Sequence, residues 1–219
     1  MAMTGCAVVS SSGPDADATP ASAAPTPVPD PAPTPTPRPT PSPTHSPTPF
    51  DATVPPVRPA ALDAPFSAGA AEDVAVYLLE LMPYVWATGE TAEVEALTAT
   101  ECNFCANLVE SARDLVDRGE HETGNQVTVD NVDADLLDED FLAYYDYESP
   151  TASVTVNYVL GPWTRLDARG EVVEEDRKYV YVNAHVHVTR VDGAWKVIAA
   201  AEDDVLESDE PISSIRPAI

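Results

Sequence analysis

The chain has 219 residues, with 37 acidic against 11 basic side chains and a net charge of −26 at pH 7. A field of this sign repels phosphate backbones and anionic lipid, which excludes nucleic acid as a partner. The same charge either keeps the protein soluble or attracts cations or a basic partner. No apolar run reaches 18 residues, so no spanning helix is predicted and a lipid anchor is the one expected membrane attachment.

Near the amino end, Cys6 follows Met3-Thr4-Gly5, and this tetrapeptide resembles the bacterial lipobox with Met where Leu is usual. Five residues are too few for the charged and apolar regions of a secretory signal. Two interpretations stay open: the true start lies upstream and the signal is missing as written, or Cys6 is an incidental cytosolic residue. The first predicts lipidation of Cys6 and a lipid-anchored position on the extracellular face of the cell membrane.

A proline-rich tract follows, because 18 of the 23 prolines lie between Pro14 and Pro65. Proline fixes φ and removes a backbone donor, so the tract predicts a disordered, polyproline II spacer and not a folded element. We therefore expect three parts: a lipobox-like remnant at 1–6, a Pro/Thr-rich linker at 7–60, and a globular head at 61–219.

Three helices are predicted at the start of the head. Apolar residues recur every three or four positions after Ser67, and Pro83 is expected to kink or shorten this first helix. A short second helix starts at Thr91. A third helix spans 102–118, and Gly119 is its natural end.

After Gly124 the hydrophobic period changes to two, which is typical of strands. Strands are predicted near 127–136, 141–147, 154–160, 180–188 and 195–198, and Asp192-Gly193 predicts a tight hairpin turn before the last of them. Helices followed by strands indicate an α+β domain, with three N-terminal helices packed on a curved antiparallel sheet of four to six strands.

This order of elements, with a late Asp-Gly-x-Trp-Lys-Val hairpin, resembles the nuclear transport factor 2-like fold, a cone-shaped α+β domain. Over roughly residues 55–205 the chain also resembles an uncharacterised family of actinobacterial lipoproteins. The shared motifs are Pro59-Ala60, Gly69-Ala70-Ala71, Tyr84, Thr88-Gly89-Glu90-Thr91, Cys102-Asn103-Phe104-Cys105 and Gly119. That family has no assigned activity, so the resemblance implies a fold and a location but no chemistry.

Cys102 and Cys105 form a CxxC pair with three interpretations. A redox dithiol needs a lowered thiolate pKa, yet Glu101 adjoins the pair and no Lys or Arg lies within seven residues. A zinc site needs four ligands, for which His121, His185 and His187 would have to supplement the thiols. A structural disulfide that fixes the start of the third helix is the default in an exported protein, and we predict it.

His185 and His187 lie two residues apart and therefore on one face of a predicted strand. Such a pair can chelate zinc or copper. The opposite face carries Val and Ala, so it is predicted to face the core, and the His face is predicted to meet solvent or a second copy. No third ligand has a recognisable spacing, and no metal or cofactor is predicted.

The aspartates at 133, 135, 138 and 140 cluster around Leu136-Leu137. Calcium favours such oxygens, but the Gly and Glu positions of an EF-hand loop are not in register. A solvated acidic loop is therefore predicted.

Aromatic residues are the last candidate signal, since cone-shaped α+β domains often enclose a pocket between helices and sheet. The predicted pocket residues are Tyr77, Tyr84, Phe141, Tyr145, Tyr158 and Trp163. Packing in the core is the alternative interpretation of the same residues.

Together these features predict a secreted, membrane-tethered head that binds a ligand or partner and is not an enzyme. The expected partner is an envelope protein or a small ligand, and the oligomeric state is not predicted. The alternative function is a small-molecule pocket enzyme of the isomerase or hydratase type, which needs a buried acid or base in the cone.

Overall fold

The computed structural model describes residues 50–209, which form an α+β domain. The helices are α1 (Ala68–Thr88), α2 (Ala92–Leu97), α3 (Asn103–Arg118) and α4 (Glu139–Tyr144), with a short 3-10 helix at Ala60–Asp63. The strands are β1 (His121–Gly124), β2 (Val127–Leu136), β3 (Thr151–Leu160), β4 (Trp163–Leu166), β5 (Val172–Asp176), β6 (Tyr179–Val191) and β7 (Ala194–Ser208). The predicted α+β class is confirmed. None of the described helices is both long and apolar enough to cross a bilayer.

The strands form two antiparallel sheets and not the single sheet that was predicted. Four strands pair in the order β2-β3-β6-β7, and three short strands pair in the order β1-β4-β5. The small sheet lacks a clear alternation because β5 is almost entirely exposed. In addition to their backbone pairing, the three strands are linked by Arg165 of β4, which pairs with Glu122 of β1 and Glu174 of β5 at 2.7 Å each.

The core lies between the inner face of the four-stranded sheet and helices α1 and α3. On β6, Val182, Ala184, Val186 and Val188 are all buried, which confirms the predicted core side. The turn that follows has Asp192 at φ 51° and Gly193 at φ 82°, as the predicted tight hairpin requires.

Helix α1 continues through Pro83 to Thr88, so the prediction that this proline shortens the helix is wrong. Proline removes one backbone hydrogen bond within a helix. Here α1 packs against both sheets and α3, and this burial offsets the lost bond. The Ser67 hydroxyl accepts a hydrogen bond from Ala70 N at the start of α1, and Gly89 ends the helix at φ 73°.

Helix α3 begins at the predicted disulfide. Cys102 and Cys105 are bonded to each other and both are buried. Cys102 occupies the N-cap position, where its Sγ accepts a hydrogen bond from Cys105 N at 3.3 Å. The disulfide therefore fixes the first turn of α3, as predicted.

The segment 141–147 is not the strand that its aromatic residues suggested. Its first part belongs to α4, which Asp138 caps by accepting a hydrogen bond from Phe141 N at 3.0 Å. Glu139 and Asp140 lie in the first turn, where negative charge favours a helix. Capping and the helix dipole outweigh the strand propensity of the tyrosines.

The acidic residues around Leu136-Leu137 are also not a loop. Asp133 and Asp135 lie within β2, and Asp138 and Asp140 belong to the start of α4. At the amino-terminal side, Ala52 is buried although 50–60 was predicted as linker. The folded part thus already includes these residues.

Candidate binding site

The outer face of the four-stranded sheet is partly covered by the turn that follows α4. Asp146 adopts a left-handed φ of 58°, a conformation that Asp tolerates better than most residues. Tyr147 N then donates to Leu142 O at 2.9 Å, which reverses the chain. This reversal places Tyr145 and Tyr147 against His187 of β6.

Four rings form what we call the tyrosine cluster: Tyr144, Tyr145, Tyr147 and His187. The Tyr145 and Tyr147 rings stack with centroids 5.4 Å apart, and Tyr145 meets His187 edge-on at 5.0 Å. The Tyr147 hydroxyl lies 2.8 Å from His187 Nδ1, a hydrogen-bonding distance. The cluster therefore attaches the α4 turn to the sheet.

Burial controls the protonation of this cluster. It lowers the pKa of His187, and the neighbouring His185 lowers it further. It also raises the pKa of the Tyr147 phenol, and Tyr145 adds to that rise. At neutral pH the imidazole is thus neutral and the phenol protonated. The Tyr147 hydroxyl and His187 Nδ1 can form their hydrogen bond in either neutral tautomer of the imidazole.

Beside the cluster is a cavity of about 530 Å³, which we call the tyrosine hollow. It is lined by Glu101, Tyr145, Asp146, Tyr147, Glu148, Ser149, Thr151, Thr189, Val191 and Ile198. The strands β3, β6 and β7 provide the floor, and the α4 turn provides one wall.

Glu101 reaches the hollow because the loop before α3 runs beside β7. Thr98 forms a parallel bridge with Val197, and Ala99 N donates to Val197 O at 2.9 Å. The disulfide that starts α3 comes directly after Glu101, so this carboxylate stands on a fixed part of the backbone.

The threonine hydroxyl groups of the hollow are already engaged. Thr189 Oγ1 donates to Pro150 O at 2.7 Å, and Thr151 Oγ1 donates to Ser149 O at 2.9 Å. Both threonines are buried. The groups left to meet a ligand are the carboxylates of Glu101, Asp146 and Glu148, the Ser149 hydroxyl and the two tyrosine rings.

Part of the hollow is formed by a long acidic interval of the sequence. Between Arg118 and Arg165 the sequence contains ten acidic residues and no Lys or Arg. Within residues 50–209, each of the nine Lys and Arg side chains already contacts a carboxylate or a backbone carbonyl. The carboxylates of the hollow therefore have no basic partner in the described part of the chain.

Such a site suits a cation. Tyrosine faces attract ammonium and guanidinium groups, and carboxylates complement their charge. The planar guanidinium of arginine can stack on one ring and pair with a carboxylate at the same time.

The six predicted pocket residues do not surround one cavity, which corrects that prediction. Tyr145 lines the tyrosine hollow, and Phe141 lies nearby on α4 with its side chain exposed. Tyr77 and Tyr84 belong to α1 and line two other hollows. The sequence period shows which residues share one face of a helix or strand. It does not show which helix and strand faces lie next to each other in the folded domain, so the six positions were predicted as one set.

The remaining two aromatic residues are structural. Tyr158 is buried in the core, where its hydroxyl donates to Glu202, and burial followed by the charge of Glu202 raises the pKa of the phenol. Trp163 lies on β4 with the Arg165 guanidinium 5.3 Å from its ring centroid. Core packing, the alternative interpretation, therefore holds for Tyr158.

Among residues 50–209, no three His, Cys, Asp or Glu side chains converge on one point, so this part of the chain offers no ligand set for a metal ion. Cys102 and Cys105 are in the disulfide. His185 Nδ1 lies 3.2 Å from the Thr155 hydroxyl, and His187 faces Tyr147. The predicted lipidation site, Cys6, lies outside the described residues.

Sequence reasoning missed the carboxylates at 101, 146 and 148 as members of one site. The signal that could have indicated them is the long interval without Lys or Arg, combined with the tyrosines at 144, 145 and 147. Tyrosine rings beside carboxylates are groups that can contact a cation together.

The fold and the hollow define an α+β domain whose described surface includes an acidic, tyrosine-lined cavity. The chain belongs to the Family of unknown function (DUF6318), whose model matches residues 51–201. The predicted likeness to a family without an assigned activity is thereby confirmed, and this chain carries the Cys102–Cys105 disulfide. A search of curated proteins finds no match.

Among solved structures, the chain is similar to the intermembrane space region of the chloroplast protein ARC6. The TM-score is 0.45 at 11% sequence identity, and the match covers 66% of this chain and 100% of that one.

Proposed function

We propose that the head is a non-catalytic binding module that recognises a basic segment of a partner protein through the tyrosine hollow. The observation that carries this proposal is the combination of two stacked tyrosines and three carboxylates around a cavity of about 530 Å³. An arginine side chain is the best match, because it combines a flat cation with donors for carboxylates.

Binding is favoured over catalysis by what the hollow contains. The imidazole of His187 is engaged by Tyr147, and the hydroxyls of Thr151 and Thr189 are engaged by backbone carbonyls. These groups are thus occupied by contacts within the domain and are not free to act as a base or nucleophile. The alternative function, an isomerase or hydratase, would have to use one of the carboxylates of the hollow as its acid or base.

We also propose that the head is held at the cell surface by a lipid on Cys6, with the Pro/Thr tract as a spacer. The disulfide between Cys102 and Cys105 supports export, because such bonds persist in oxidising compartments. The partner would then be a basic protein of the cell envelope. Incorporation of a labelled fatty acid, lost in Cys6→Ser, tests the anchor, and an unacylated product confined to the cytosol would contradict it.

For the fold, we propose the nuclear transport factor 2-like arrangement as the finer description. The order of helices α1 to α3 before a long antiparallel sheet supports it. The test is a crystal structure of the full chain: a cone closed by α1 over a strongly curved sheet would agree, and a flat, open sheet would not.

The binding proposal is tested with a fluorescein-labelled Gly-Arg-Gly-Arg-Gly-Arg peptide and the full chain, followed by fluorescence anisotropy. We expect binding that weakens as salt increases and that disappears when citrulline, a neutral isostere, replaces arginine. The double variant Glu101→Gln/Glu148→Gln should weaken binding about tenfold, since each exposed ion pair contributes roughly 0.2–1 kcal/mol.

The matched control is Asp114→Asn/Asp117→Asn, which removes the same charge from the exposed face of α3. This control should bind the peptide nearly as well as the wild type. Equal weakening by both double variants would show that only net charge matters, and it would refute the hollow as the site.

A further inference from the structure

A second recess, independent of the tyrosine hollow, runs along α1. Two adjoining hollows of about 360 and 400 Å³ share Val57 and Glu80, and we call them together the α1 groove. The first is lined mainly by apolar groups, among them Phe50, Pro83 and Val127. The second continues past Tyr77 to Val132, so the groove follows β2.

The wall of the groove is the segment 50–59, and it is held in place. Val54 N donates to Asp51 O at 3.1 Å, while the Asp51 carboxylate accepts from Thr53 N at 3.0 Å and from its hydroxyl at 2.7 Å. At the other end, Arg58 lies 3.5 Å from Asp63 and 3.8 Å from Glu93. The groove is thus a formed feature of the fold.

Large apolar side chains are exposed along the rim of the groove. Val57 is 90% exposed, Val54 is 61% exposed and Phe50 is 44% exposed. Apolar side chains exposed side by side around a concave surface indicate a partner, in contrast to single ones scattered over a protein.

Glu80 is the charged group at the junction of the two hollows. Partial burial raises the pKa of its carboxyl. No Lys or Arg of residues 50–209 pairs with it, since Arg58 is engaged by Asp63 and Glu93. Glu72 and Asp73 line the second hollow and add to the negative charge. The groove therefore combines apolar side chains with acidic groups, of which Glu80 is the one shared by both hollows.

We propose that the α1 groove binds an extended apolar peptide segment that carries one lysine or arginine near its centre. The groove follows β2 from Val127 to Val132, which corresponds to roughly 17 Å at about 3.4 Å per residue. It therefore accommodates about five or six extended residues. Glu80 lies between the hollows and not at one end, which matches a cation in the middle of a segment and not the terminal charge of a small amphiphile.

The test uses the full chain and a labelled, end-capped Leu-Val-Lys-Val-Leu peptide, with fluorescence anisotropy as the readout. We expect binding that weakens at least fivefold in Glu80→Gln. Replacing the peptide's lysine by norleucine should weaken binding to the wild type but should make little difference to Glu80→Gln. Glu90→Gln, which removes an exposed charge just after α1, is the matched control and should bind like the wild type.

A second variant tests the apolar part of the groove. Val57→Ser changes a side chain that is already 90% exposed, so the fold is retained while apolar contact is lost. We expect severalfold weaker binding of both peptides. The proposal would be overturned if the peptide did not bind at millimolar concentration, if Glu80→Gln bound it equally well, or if dodecylamine bound more tightly than the peptide. It would also be overturned by peptide binding only after removal of residues 210–219, or by a dimer that Val57→Ser dissociates.

Discussion

The two faces of β6 show how differently one strand can be used. Toward α1, Val186 and Val188 are completely buried in an apolar core. Toward the outside, Asn183 donates to Asn157 Oδ1 at 2.7 Å, and His187 is covered by tyrosines. The inner face is formed by close packing of apolar side chains, whereas the outer face is formed by hydrogen bonds and polar groups.

This difference teaches where stability and function lie in the domain. Burial of apolar area contributes about 25 cal/mol per Å² and does not depend on pH. The outer hydrogen bonds each contribute only about 0.5–1.5 kcal/mol, and they leave carboxylates and aromatic faces available to a ligand. We therefore expect core variants to affect folding and outer-face variants to affect binding.

The largest expected effect comes from the inner side. Leu78 of α1 is fully buried in the same core as the valines of β6. Leu78→Ala should lower the free energy of unfolding by about 2–5 kcal/mol, through lost burial and a cavity. Urea denaturation measures this. A loss below about 1 kcal/mol would mean that α1 does not pack on the sheet as described.

The inner face was also the part most accessible to prediction. The buried Val and Ala residues of β6 follow from the period of a strand. Local rules also predict the Asp192-Gly193 turn from its turn type and the start of α3 from its cap at Cys102. Local rules failed where two of them conflicted. The tyrosines of 144–147 favour a strand, but Asp138 caps a helix there, and the cap prevails.

The tyrosine hollow could not be predicted because its parts are far apart in the sequence. Glu101 comes from the loop before α3, Glu148 from the turn after α4, and Ile198 from β7. Strand register and the reversal at Asp146 bring them together, and neither follows from periodicity. Glu80 did have a local signal, since it is the one charged residue between Asp73 and Glu90 in an otherwise apolar helix.

A smaller effect is expected for the hydrogen bond that attaches the α4 turn. Tyr147→Phe keeps the ring but leaves His187 Nδ1 without its hydrogen-bond partner. The free energy of unfolding should fall by about 1 kcal/mol. Tyr144→Phe is the matched control, because Tyr144 is 80% exposed and its change should stay within about 0.5 kcal/mol. Equal effects of the two variants would contradict the described contact.

The smallest effect is a dependence on pH that separates the two faces. Burial, with a further contribution from His185, lowers the pKa of His187 below its ordinary value of 6.5 in the folded chain. Below that value the unfolded chain binds more protons at this position than the folded chain does. This contribution to the free energy of unfolding is therefore complete above about pH 6.5 and decreases as the pH falls through the lowered pKa.

His187→Gln removes that contribution, so its stability should change less between pH 7 and pH 5 than the wild type does, even though the variant is less stable overall. Leu78→Ala provides the comparison from the inner face, and its stability loss should be the same at both pH values. Urea denaturation at each pH measures both differences. If His187→Gln follows the wild-type curve in parallel, the imidazole is not buried beneath the tyrosines. The outer face would then be a solvated surface, and the distinction between the two sides of β6 would not extend to their chemistry.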